Sequence, residues 1–167
     1  MRLYFIALTL LLTAWAFSTP PKAAAEEQVS PITRLLAPYI EIQKALSQDK
    51  LDLLPSLSHS MQEDLKKVSK ETLEQSELAL IRQLSVEIES FKKVSDPKLY
   101  RTRFGNISRL YVDYLKSHPK EAKNLQLFFC PMFPQGYAFW VQRQGEPLAN
   151  PYWGHEMLEC GVKRPWK

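Results

Sequence analysis

Two short pieces of the chain hold nearly all of its soft-donor chemistry. Cys130-Pro131-Met132 and Met157-Leu158-Glu159-Cys160 each offer one thiol and one thioether, and the only other sulfurs belong to Met1 and Met61. Thiolate and thioether donors favour Cu(I), and by extension Ag(I), over hard cations. Cys130 and Met132, two apart in an extended segment, are expected to point the same way. Met157 and Cys160, three apart, are expected to share a helical face, and His155 adds a candidate imidazole. The same two cysteines have another use. As a disulfide they would close a loop of roughly 30 residues, worth about 3 to 4 kcal/mol in the loop-entropy picture. A disulfide removes the thiolates that a metal needs, so the two uses exclude each other at any moment.

Other readings of the two cysteines are weaker. A zinc site from Cys130, His155 and Cys160 lacks the usual paired-cysteine spacing. A thiol oxidoreductase needs an exposed thiolate of low pKa. Methionine also fills irregular core gaps, so Met132 and Met157 carry a packing reading beside the ligand one. The sequence has no glycine-rich phosphate loop, no Gly-x-Ser-x-Gly elbow and no His-Glu-x-x-His helix, so no enzyme is expected. His59 and His118 are widely spaced and match no metal pattern.

Composition sets the frame for the elements that must position these groups. With 167 residues, 45 % hydrophobic, the chain is long enough to bury a core of its own without metal or disulfide staples. A balance of 22 Lys+Arg against 18 Asp+Glu argues against disorder and against the basic face of a nucleic-acid binder. Arg2, the apolar run Leu3 to Phe17 and Ala23-Ala24-Ala25 before Glu26 read as a signal peptide over 1–25. No cysteine stands at its end, so export as a lipoprotein is not expected. The apolar run is shorter than a membrane span requires. The mature chain is therefore expected to be periplasmic, with no membrane span. Export also places both cysteines in an oxidising compartment.

Residues 26–118 read as helices, and 119–167 as a Cys/Met-containing segment packed on them in one domain. Helical spacing of apolar residues runs from about Thr33 to Ser47, with Pro38 pushing the regular part toward Ala37. A second helix is expected from Asp49 as N-cap, delayed or kinked by Pro55. A third spans roughly Lys70 to Phe91, and a fourth starts at Asp96-Pro97, an N-cap followed by a first-turn proline. Leu125 to Phe129 and Tyr137 to Gln142 read as two strands, and His155 to Cys160 as one helical turn ending at Gly161. The expected fold is mainly α: a four-helix up-down bundle with a short two-stranded C-terminal appendage. Trp140, Tyr152 and Trp153 are expected to plug the tail onto the bundle.

Phe129-Cys130-Pro131-Met132, Trp140, Asn150-Pro151-Tyr152-Trp153-Gly154 and Met157-Leu158-Glu159-Cys160-Gly161, in that order, resemble a domain of unknown function. That domain ends some CusB-like periplasmic heavy-metal efflux adaptors and also occurs alone in small exported proteins. Arg101, Phe104, Ile107 and Ser108 are similar to its upstream R-x-x-F-x-x-L-S segment. Trp153 replaces the family's commoner second tyrosine, and His155 replaces a small or basic residue. The resemblance implies copper or silver handling, with Cys130, Met132, Met157 and Cys160 as ligands, and a heavy-metal efflux component or another periplasmic protein as partner.

Overall fold

The computed structural model describes residues 30–134 and 137–166. The expected signal peptide therefore lies outside the described residues. Four α-helices lead: α1 (Pro31–Ser47), α2 (Leu54–Val68), α3 (Gln75–Lys92) and α4 (Pro97–Ser117). They are followed by three short strands, β1 (Leu125–Phe129), β2 (Phe139–Arg143) and β3 (Val162–Arg164). The sheet is antiparallel throughout with order β2-β1-β3, so the expected two-stranded appendage has a third strand. Strand β3 escaped the sequence because Val162-Lys163-Arg164 is exposed along its whole length and shows no apolar alternation.

Helix starts follow local capping chemistry. The Ser30 hydroxyl accepts the Thr33 N–H at 3.1 Å with Pro31 in the first turn, so α1 begins before Pro38 rather than at it. Pro38 sits inside the helix, and the carbonyl it leaves without its helical donor belongs to Arg34, an exposed residue. Asp96 caps α4 by accepting the Lys98 N–H at 2.9 Å. Two expected starts move. Asp49 adopts φ 53° and does not cap α2, which begins at Leu54 after a single 3-10 turn over Leu51–Leu53. Helix α3 begins at Gln75 rather than Lys70, where the Glu77 carboxylate returns to the Glu74 N–H at 2.9 Å.

Each helix packs on the next in chain order, and α4 turns its other side to β2. This central position explains why α4 buries residues around most of its circumference, including Phe104, Ile107, Tyr111 and Leu115. Tyr39 of α1 is wedged between Phe104 and Tyr111, with ring centroids 5.3 and 4.7 Å away. Its hydroxyl meets Ser108 Oγ at 2.6 Å and accepts the Val141 N–H of β2 at 3.0 Å. Burial pushes the Tyr39 hydroxyl far above its ordinary value, so it stays neutral and can donate as well as accept. The Tyr152 hydroxyl in turn donates to the Phe139 carbonyl. Strand β2 is an edge strand, and these two buried tyrosines satisfy backbone groups that no neighbouring strand reaches.

Helix α4 approaches the segment leading into β2 closely at Gly105, where a Cβ would stand 2.5 Å from the Tyr137 carbonyl oxygen. Alanine is the better helix former by about 1 kcal/mol, but overpacking costs about 1 to 3 kcal/mol. Gly105→Ala is therefore expected to lower the urea midpoint, opposite to the direction of helix propensity. A raised midpoint would show that α4 and the Tyr137 backbone are not held at this spacing.

Candidate functional site

The β1–β3 register places Phe129 opposite Val162. Cys130 follows β1 by one residue and Cys160 precedes β3 by two, so strand pairing carries the distant cysteines to the same end of the sheet. Their sulfurs stand 3.9 Å apart, and both thiols are free. The Cys130 N–H donates to the Ala138 carbonyl at 3.0 Å, extending the β1–β2 ladder by one rung. Cys130 is fully buried, whereas Cys160 is half-buried. Burial, then the neighbouring Cys130, pushes the Cys160 thiol above its ordinary value.

Asn150 organises the pair. Its amide donates to Cys130 Sγ at 3.2 Å and to the Cys160 carbonyl at 2.6 Å, while its Oδ1 accepts the Tyr152 N–H at 2.8 Å. These contacts fix the amide orientation, because a flipped side chain would set carbonyl against carbonyl and amide against N–H. The Asn150 N–H adds a bond to the Leu158 carbonyl at 2.7 Å. One fully buried side chain thus bridges the two cysteine-bearing segments.

The methionines stand apart from this arrangement. Met132 does not continue an extended strand beside Cys130; it lies in a turn after β1 with 56 % of its surface exposed. Met157 ends a 3-10 turn over Gly154–Met157, half-buried and outside the core cluster. Cys160 lies beyond that turn and donates its N–H to the Met157 carbonyl at 3.0 Å, so the expected shared helical face does not form. Neither methionine fills the core, in contrast to Met61, which is fully buried. What the structure brings together is the two thiols; of the thioethers nearby in sequence, Met132 is open to solvent and Met157 is half-buried.

His155 is committed elsewhere. Its backbone N–H and its Nδ1 meet the Asp49 carboxylate at 2.8 and 2.9 Å, and the ring is exposed. The other Asp49 oxygen pairs with Arg101, which also donates to the Leu46 and Pro151 carbonyls. Partial burial raises the Asp49 carboxyl, but bonds from the His155 backbone and ring and the Arg101 charge outweigh it and hold the group below the usual range. The carboxylate lies against Gly154, which has φ +59° and no room for a Cβ. Among the described residues, no group of three or more His, Cys, Asp or Glu is placed to hold a metal. The Cys130, His155 and Cys160 zinc arrangement is therefore not assembled.

Trp140 and Tyr152 are buried between the sheet and α4, with Tyr152 5.8 Å from Phe104 and 5.9 Å from Trp140 between ring centroids. Trp153 is half-buried against the same core. Sequence reasoning missed the bridging role of Asn150 and the Asp49–Arg101 pair. Half of the Asn150 signal was present, since Asn-Pro-Tyr is a turn sequence in which the side chain bonds the backbone two residues on. Comparison of the chain with protein-family models, curated proteins and solved structures found no match.

Two outcomes follow from these contacts. Asn150→Ala strands the Cys160 carbonyl and the Tyr152 N–H and is expected to cost at least about 2 kcal/mol in denaturant unfolding. Because the Asp49 pKa is lowered on folding, its contribution is present above about pH 4 and is lost as pH falls through the folded value. The stability difference between wild type and Asp49→Asn is therefore expected to shrink below about pH 4, read from urea midpoints across pH. A difference that stays constant would show that Asp49 is not paired as described.

Proposed function

We propose that the chain is an exported, non-enzymatic accessory that binds Cu(I) or Ag(I) for delivery in the periplasm. Cys130 and Cys160 form the centre of its site, and Met132 and Met157 serve as outer thioether donors. Its helices, read as an up-down bundle, are the scaffold that presents the C-terminal segment. The observation that carries this reading is the 3.9 Å separation of two free thiols, one buried and one reachable. Two metal–sulfur bonds of about 2.3 Å spanning 3.9 Å would meet at roughly 115°, between the trigonal and tetrahedral angles, which leaves a place for a thioether. The exposure of Met132 suits a donor that joins on binding better than one that packs. His155, held by Asp49, is the least suited of the proposed donors.

The resemblance of the tail to the efflux-associated domain supports the same chemistry and suggests a heavy-metal efflux component, or another periplasmic protein, as the partner. No helix among the described residues is long and apolar enough to cross a membrane. The raised Cys160 thiol and the buried Cys130 are unlike the poised thiolate of an oxidoreductase. A second reading rests on the same sulfur contact: a disulfide-stabilised helical interaction module that binds no metal.

Titration of the reduced protein with Cu(I) against a competing chelator separates the two. One equivalent is expected to bind, with binding lost in Cys130→Ser and Cys160→Ser and weakened in Met132→Leu. Affinity is expected to rise with pH, because the Cys160 proton must leave and its thiol sits above the ordinary value. No Cu(I) binding, with both thiols resistant to alkylation until reduced, overturns the metal reading and supports the disulfide module.

A further inference from the structure

We infer that the Cys130–Cys160 pair is a reversible redox gate on the soft-donor site, in which Cys160 exchanges with an incoming disulfide and Cys130 resolves it. What the gate controls rests on the soft-metal reading above; how it works rests on geometry.

The sulfurs are 3.9 Å apart and a disulfide bond is about 2.05 Å, so closing the pair needs about 2 Å of movement. Cys160 lies in the turn leading to β3, which pairs only with β1 and is exposed along its length. The Cys160 backbone is held too, by its N–H on Met157 and by the Asn150 amide on its carbonyl, but its half-buried sulfur is not held by Asn150, so the Cys160 side chain is the part able to turn. Cys130 is held on two sides, by its N–H on Ala138 and by the Asn150 amide on its sulfur.

Access assigns the order of events. Cys130 has no exposed surface, so a bulky disulfide cannot form an adduct with it without opening the core. Cys160 is partly open. The exchange runs in two balanced steps. Cys160 loses its proton, its thiolate attacks one sulfur of the incoming disulfide, that bond breaks, and the second sulfur leaves and takes up a proton. Cys130 then loses its proton and attacks Cys160 Sγ, the mixed disulfide breaks, and the remaining incoming sulfur leaves as a thiol. Two protein thiols are oxidised by two electrons, and the incoming disulfide, of a protein or of a small thiol, is reduced to two thiols. Both thiolates are consumed, so the oxidised form has no soft anionic donor left, and a bound cation conversely shields both sulfurs.

The test uses purified, reduced, metal-free protein and oxidised glutathione, followed by mass spectrometry. Wild type is expected to lose two hydrogens and retain no adduct, with early-quenched samples carrying glutathione on Cys160. Cys130→Ser is expected to trap that adduct on Cys160, while Cys160→Ser stays unmodified. With free Ag(I) buffered at about 100 times its Kd, exchange is expected to slow roughly 100-fold. An early wild-type adduct on Cys130, or modification of Cys160→Ser as fast as of Cys130→Ser, overturns the assignment. Normal Ag(I) binding without exchange overturns the gate alone, and normal exchange without Ag(I) binding overturns the soft-metal reading alone.

Discussion

The need to pair the buried polar groups of the C-terminal segment with specific partners governs the molecule, and the Trp153 indole N–H stands as an exception with no partner. A buried donor or acceptor left alone costs about 1 to 3 kcal/mol, and this tail buries several. Tyr39 and Tyr152 take the outward backbone groups of β2. Gln142 accepts the Ala149 N–H at 3.2 Å, and Gln43 of α1 donates to the Ala149 carbonyl at 2.6 Å. Arg101 collects two carbonyls and a carboxylate from three segments. Because each partner comes from a different part of the chain, the bonds act as coordinates. They allow one placement of the loop after β2 on the helices and exclude its sliding.

The sulfur pair is the product of that placement. Asn150 can bond Cys130 Sγ and the Cys160 carbonyl together only when the tail has folded back over β1. The result is asymmetric, with one sulfur sealed in the core and one near water. Such asymmetry suits a site that must be entered from one side, whether by a cation or by an incoming disulfide. It also separates the buried, fixed Cys130 from the exposed Met132 and the half-buried Met157.

A second polar cluster, Asp49 with Arg101 and His155, lies between the end of α1, α4 and the Gly154 turn. Its chemistry is structural: a buried guanidinium needs a counter-charge, and the acid that pairs with it is held at positive φ in the loop after α1. His155 is drawn to the same carboxylate through both its backbone and its ring. The residue that looked like an extra metal ligand is thereby part of the clamp fastening the tail.

The sequence by itself determined the helical half, the break near Pro119 and the two short pieces in which the tail's sulfur-bearing residues lie. Amphipathic spacing and capping are local, and Ser30-Pro31 and Asp96-Pro97 announce helix starts through contacts within a few residues. Strand β3, the commitment of Asp49 to Arg101 and His155, and the outward position of Met132 were decided only by the tertiary structure. Each depends on contacts between residues tens of positions apart, 52 for Arg101 with Asp49 and 106 for His155 with Asp49. Periodicity carries no information about such pairings. Whether Cys130 would meet Cys160 belongs to the same class, because their proximity is set by the register of β3 on β1 and by one buried asparagine.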